Sequence, residues 1–221
     1  MHDMGMTPAL RQPAPGQPVV AFDFDGTLTI RDSFTEFLKW RAGPGGWALG
    51  LVKLAPALAG YGRHRDRGRL KAAATREFLT GVTRTQLASD AERFAEFVWR
   101  SFMRPDALDV WNDWGERGAY RVIVTASPEE TVAPFASRLG AEALLGTPLG
   151  FDSQDRVTGA FAGPNCRGEE KVRRLHGAYG EGLRLTAAYG DTSGDREMLA
   201  MAQAPGFRVF KARPAPVAPR S

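Results

Sequence analysis

Short apolar runs, separated by longer amphipathic stretches, set the rhythm of this chain. Five of them read as buried strands: residues 19–25 (VVAFDFD), 120–125 (YRVIVT), 143–149, 183–189 (LRLTAAY) and 206–210 (GFRVF). Segments such as VVAF and VIV are apolar on both faces, as parallel strands covered by helices on two sides must be. Helical patterns over residues 128–139, 167–178 and 193–201 alternate with these strands. That alternation predicts an α/β fold, a Rossmann-like, doubly wound and mostly parallel sheet. Residues 151–161 read as a hairpin excursion after the third strand.

Residues 31–118 interrupt the alternation with consecutive helices, over 33–41, 47–59, 67–79, 85–103 and 105–117. In the fourth, Phe94, Phe97, Val98 and Phe102 fall at i, i+3, i+4 and i+8 and are expected to share one buried face. A helical module inserted after strand 1 is most simply a cap over the mouth of the sheet. The expected division is a core from 18–30 and 119–212, a cap from 31–118, and disordered Pro-rich ends at 1–17 and 213–221.

The bulk properties narrow the picture without deciding it. The 221 residues are 43% hydrophobic and 24% charged, an ordinary globular balance. The net charge of +4 suits an anionic substrate or an anionic membrane surface, and no nucleic-acid partner is expected. Cys166 is the single cysteine, so an internal disulfide is excluded and a reducing cytoplasm is the default. The first residues lack the basic-then-apolar layout of a signal peptide. No apolar stretch reaches the roughly 18 residues that a spanning helix needs.

Chemistry gathers at the carboxyl ends of the strands. Strand 1 ends in DFDGTLT, with Asp23 and Asp25 at i and i+2 and therefore on one side. Paired buried carboxylates repel unless a cation sits between them, and oxygen-only ligands imply Mg²⁺. Gly26 permits a tight turn with N–H groups free for a phosphate. Strand 2 ends at Thr125 and runs through Ala126 into Ser127-Pro128-Glu129-Glu130, which reads as a capping box with Ser127 as N-cap. Thr125 and Ala126 thus lie before a helix N-terminus, where an anion is held well. The last strand ends in Gly190-Asp191-Thr192-Ser193-Gly194-Asp195, and Gly168-Glu169-Glu170-Lys171 places a cation near a helix start.

In this order, Asp-x-Asp-Gly-Thr, strand-Thr, Lys and Gly-Asp-x-x-x-Asp resemble the haloacid dehalogenase superfamily of phosphatases. The helical insertion resembles its C1-cap members, specifically the subfamily IB group that includes phosphoserine phosphatases. The resemblance covers roughly residues 18–212 and implies a Mg²⁺-dependent phosphomonoester hydrolase working through an aspartyl-phosphate. It implies Asp23 as nucleophile and Asp25 as the acid and base that also lends its carbonyl to the metal. Thr125, Ala126 and Lys171 would hold the phosphoryl oxygens, Asp191 would bind the metal directly, and Asp195 would support the metal from behind. Covalent catalysis divides one hard displacement into two easier ones, which agrees with this assignment.

Other chemistries fit less well. A cysteine phosphatase wants Cys-x5-Arg, and Arg173 lies one position too far from Cys166. A haloalkanoic dehalogenase would not need Asp25. A catalytically silent binding protein would not need the intact acidic set. Transfer to an acceptor other than water stays open, since closure of the cap decides whether water enters.

The cap bears on the substrate. Residues 47–61 (WALGLVKLAPALAGY) are strongly apolar and are followed by Arg63, His64, Arg65, Arg67, Arg69 and Lys71. Such a segment, 47–71, is a candidate for peripheral contact with an anionic membrane at the inner face. The plainer reading buries it in its own bundle. FDFDGTLTIRDSFTEFL, TASPEE and residues 165–172 are similar to relatives of phosphatidylglycerophosphatase C. Phosphoserine phosphatases carry a Glu after the first motif where this chain has Asp32, and Ser-Gly-Gly where it has Thr125-Ala126-Ser127. The expected substrate is accordingly a phosphorylated lipid head group, with a soluble phosphometabolite such as phosphoserine as the alternative and Asp32 as a candidate substrate contact.

Overall fold

The computed structural model describes residues 11–57 and 67–215 of the chain. Its strands, in chain order, are β1 (Val19–Phe22), β2 (Tyr120–Pro128), β3 (Ala143–Thr147), β4 (Leu149–Phe151), β5 (Val157–Phe161), β6 (Leu185–Gly190) and β7 (Ala202–Phe207). Five of them form one parallel sheet in the order β3-β2-β1-β6-β7, and β4 and β5 pair as a separate antiparallel hairpin. Strand order reverses on either side of β1, so the crevice beyond its carboxyl end is where an open α/β sheet takes a ligand.

Burial explains the sheet. All four residues of β1 are buried, and they divide by alternation between two apolar layers. Val20 and Phe22 join Ile123 and Ala187 on one face, whereas Val19 and Ala21 join Val122, Val124 and Ala188 on the other. The first layer is covered by the helices between β1 and β2 and by α5 (Glu129–Leu139). The second is covered by α6 (Glu169–Tyr179) and α7 (Arg196–Ala200).

Between β1 and β2 lie α1 (Ser33–Lys53), α2 (Arg67–Leu79), α3 (Arg84–Phe102) and α4 (Pro105–Glu116). The two helices expected over 33–41 and 47–59 are one element broken at Gly43, whose φ of 67° precedes Pro44. A proline that cannot donate to the preceding turn, next to a left-handed glycine, produces such a break. The end of that second helix, residues 58 and 59, lies outside the described residues, as do Arg63, His64 and Arg65.

In α3 the buried stripe is Leu87, Ala91, Phe94, Ala95 and Phe102, and Phe97 is 74% exposed. Phe97 therefore leaves the expected face, because at 3.6 residues per turn it sits about a hundred degrees from the stripe's centre.

Three further expectations change. Strand 1 is shorter than 19–25, since the chain leaves the sheet after Phe22 and turns over Phe24–Leu28. The last strand begins earlier than 206, at Ala202, and includes Pro205. As an edge strand it needs neither two apolar faces nor every N–H, so its sequence carries little apolar signal. Residues 11–17 are tied down instead of disordered: Gln12 donates to Ala178 O at 3.0 Å and Gln17 to Gly118 O at 2.8 Å.

Candidate active site

Four chain segments converge beyond the carboxyl ends of β1, β2 and β6. After β1, the backbone turns at Gly26 with φ of 85°, a conformation that favours glycine. Arg104, at the head of α4, pins that turn by donating from Nε to Gly26 O at 3.1 Å and Thr29 O at 3.2 Å. After β6, Thr192 and Asp195 cap the short 3-10 turn Ser193–Asp195 reciprocally, which fixes both acids of the Gly-Asp-x-x-x-Asp segment.

Lys171 is the hub. It is 1% exposed, and its ammonium donates to Asp23 Oδ1 at 2.6 Å and Val124 O at 2.6 Å, and pairs with Asp195 Oδ1 at 2.7 Å. Three acceptors meet three N–H donors, so a buried charge is fully satisfied. The two carboxylates hold Lys171 in its charged form, above the usual lysine range, although burial alone would lower it. Asp195 also accepts from Thr192 N at 2.8 Å, Thr192 Oγ1 at 2.9 Å and Asp191 N at 3.2 Å. Burial would raise its carboxyl, but Lys171 and these hydrogen bonds carry it below the ordinary value.

Asp23 and Asp191 are less well compensated. Burial pushes the Asp23 carboxyl up to about 7 against the pull of Lys171, with Asp195 and Asp25 adding repulsion. Asp191 is raised by burial and by Asp195, and its buried Oδ1 has no hydrogen-bond partner among the described residues. Carboxylate oxygens of Asp23, Asp191 and Asp195 lie within 4.8 Å of one another. Three acids facing one lysine, with an orphaned buried oxygen among them, form a donor set that fits a hard divalent cation such as Mg²⁺.

Asp25 turns away from this cluster. Its Oδ1 accepts from Ser33 N at 2.6 Å and its Oδ2 from Ser127 Oγ at 2.5 Å. Burial raises its pKa, as does the charge of Asp32, while Lys71, Ser127 and Ser33 pull it down. Ser127 is therefore not the N-cap of α5 that the sequence suggested. That helix starts at Glu129 with Pro128 before it, no side chain caps it, and Glu130 instead accepts from Leu149 N at 3.3 Å.

A cavity of about 660 Å³ joins these groups. Asp23, Asp25, Asp32, Ala126, Lys171, Asp191 and Asp195 all line it, so the structure brings these sequence-selected residues together. Thr125 does not line it. Its side chain is fully buried, and Oγ1 accepts from Ser127 N at 3.1 Å, bracing the turn. Asp32 has a structural task as well, capping α1 by accepting from Thr35 N at 2.7 Å. Cys166 is buried outside the lining, its thiol pushed up to about 11 by burial, which is unsuited to nucleophilic attack.

Several lining residues escaped the sequence reading. Lys71 is the clearest: it was grouped with a basic surface cluster, yet its ammonium reaches Ala126 O at 3.0 Å and Ser127 Oγ at 3.3 Å. Arg104, Asn165 and Arg167 also line the cavity. No spacing could have found Lys71, because it meets strand 2 only through the packing of α2.

Apolar side chains complete the lining: Phe34, Leu38, Trp47, Leu51, Leu54 and Leu70. Trp47 stacks on Phe78 at 5.1 Å and Leu54 is buried, so part of the apolar segment packs inward. Leu49 and Val52 of the same helix are 59% and 71% exposed. No described helix is long and apolar enough to cross a membrane.

Comparison with known proteins gives a consistent result. A family model described as haloacid dehalogenase-like hydrolase matches residues 20–200. Protein CicA of Caulobacter vibrioides is 56% identical over 197 residues, covering 89% of this chain and 88% of that protein. A crystal structure of a protein of unknown function from Bordetella pertussis Tohama I superposes with a TM-score of 0.72. It is 25% identical and covers 86% of this chain and 88% of its own. An apo phosphoserine phosphatase structure shares the fold with a TM-score of 0.56 at 16% identity, covering 86% of each chain.

Proposed function

This chain belongs to the haloacid dehalogenase-like hydrolase family, and we propose that it hydrolyses phosphomonoesters with Asp23 as nucleophile. One observation carries the reading: Asp23 lies 2.6 Å from the buried ammonium of Lys171, with the Asp191 carboxylate in the same cluster. An Asp23 oxygen forms the bond to phosphorus, and the leaving oxygen departs with a proton from Asp25. Asp25 then takes a proton from water, which attacks the aspartyl-phosphate and restores Asp23. Lys171 offsets charge on the transferring group, and Ala126 faces the same space. Asp23, Asp191 and the main-chain carbonyl of Asp25 would hold Mg²⁺, with Asp195 positioning Lys171 and the Asp191 segment. The ion would supply charge neutralisation at the phosphoryl group.

The substrate we infer is amphiphilic, a phosphorylated lipid head group such as phosphatidylglycerophosphate. Support comes from the apolar side chains that line the cavity together with the acidic cluster and from Leu49 and Val52, exposed on the helix that supplies Trp47 and Leu51. Contact of residues 47–71 with an anionic membrane surface belongs to the same reading. Phosphate release is measured on a panel containing phosphatidylglycerophosphate in anionic vesicles, phosphoserine and nitrophenyl phosphate, each with Mg²⁺. The lipid should be hydrolysed with the highest kcat/KM, and the chain should float with the vesicles. Equal turnover of phosphoserine without vesicle binding would remove the lipid claim.

A further inference from the structure

Asp25 is gripped at both oxygens, by Ser33 N at 2.6 Å and Ser127 Oγ at 2.5 Å. The backbone N–H has a fixed direction, whereas a serine hydroxyl carries one proton that rotates to suit its surroundings. Lys71 removes that freedom. Its Nζ lies 3.3 Å from Ser127 Oγ and 3.0 Å from Ala126 O. An ammonium has donors and no lone pair, so Ser127 Oγ must accept from it, and the single hydroxyl proton is committed to Asp25.

We propose that Ser127 and Lys71 are positioning residues that aim Asp25 at the leaving oxygen. The inference rests on the reading of Asp25 as the proton carrier. Each carboxylate oxygen has two lone-pair sites, so the two bonds orient the group and still leave a site on each oxygen for the travelling proton. In the first step the bond from Asp23 to phosphorus forms and the bond from phosphorus to the leaving oxygen breaks. The proton of Asp25 passes to that oxygen, giving an alcohol, an aspartyl-phosphate and ionised Asp25. Aim matters only where the leaving oxygen must take the proton during bond cleavage. An alkoxide must, whereas a nitrophenolate leaves as a stable anion.

The chain of donors also crosses between two parts of the molecule. Lys71 stands on α2, between β1 and β2 in sequence, whereas Ser127 lies near the end of β2 and Asp25 just after β1. Orientation of the acid therefore depends on the packing of α2, whose Lys71 reaches Ala126 O and Ser127 Oγ.

The test compares kcat/KM for the best alkyl monoester of the panel with that for nitrophenyl phosphate. This parameter reports the steps through phosphorylation of Asp23, so later attack by water does not enter. Ser127→Ala should reduce the alkyl value about tenfold or more beyond its effect on the aryl value, within the range that a positioned acid supplies. Lys71→Met should shift the ratio in the same direction by less, and Lys71→Arg should restore it. Equal losses on both esters in Ser127→Ala and Lys71→Met would overturn the proposal and leave the two residues with a structural role alone. Asp25→Asn is the control for the underlying reading. If it shows no alkyl bias, Asp25 is not the proton carrier, a failure separable from the first.

Discussion

A Cβ built on Gly26 would come within 2.3 Å of Asp191 Oδ2. The turn after the first strand and the acid after the fourth strand of the central sheet thus pack with no room for a methyl group, and φ of 85° at Gly26 penalises any side chain there. Gly26→Ala should cost about 1–3 kcal/mol of stability and push Asp191 out of the acidic cluster. Thermal melts with and without Mg²⁺ check it. The variant should melt lower and lose most of the Mg²⁺-dependent rise expected of the parent chain.

Removing the buried cation should be more severe. Lys171→Met leaves Asp23 and Asp195 facing each other without compensation in a buried site, a change that costs about 3–5 kcal/mol when a buried pair is broken. Activity should fall by about a thousandfold or more, since both charge neutralisation and placement of the nucleophile are lost. Chemical denaturation and phosphate release under saturating substrate measure the two effects separately.

Asp23 makes stability depend on pH in a definite direction. Its carboxyl rises from 3.8 to about 7 on folding, so the folded chain holds a proton that the unfolded chain has released. Between about pH 4 and 7 the contribution of this group is therefore lost as pH rises, by an amount on the order of a few kcal/mol. In metal-free buffer, Asp23→Asn should melt no lower than the parent at pH 8 while being inactive, and the difference should shrink toward pH 4. Mg²⁺ should restore stability to the parent chain and not to the variant.

The apolar lining makes a prediction about selectivity. Leu51 lines the cavity and is 36% exposed, so it can be changed with little cost to the core. Leu51→Ser should reduce kcat/KM for a long-chain phospholipid monoester several-fold more than for a short-chain one, matching the transfer free energy of a lost apolar contact.

How much of this was legible depended on whether a signal was local. Asp23, Asp25, Lys171, Asp191 and Asp195 each stand at a strand or helix end that apolar runs and glycines mark, so their convergence followed from a parallel sheet. Ser127 was misread because its partner, Asp25, lies 102 residues away, while a local capping pattern offered a sufficient explanation. Lys71 was hidden because it belongs to a run of basic residues in which nothing in the sequence singles it out. The final strand was placed too late because an edge strand containing Pro205 lacks the two-sided apolar run by which buried strands are recognised.

The most direct test asks where phosphate goes. A substrate labelled in its phosphoryl group is mixed with the chain and quenched in acid within the first turnover, and the tryptic peptides are mapped. The account predicts label on the peptide spanning residues 12–31, at Asp23, and its disappearance in Asp23→Asn. Label on another residue, or turnover by Asp23→Asn near the parent rate, would contradict it.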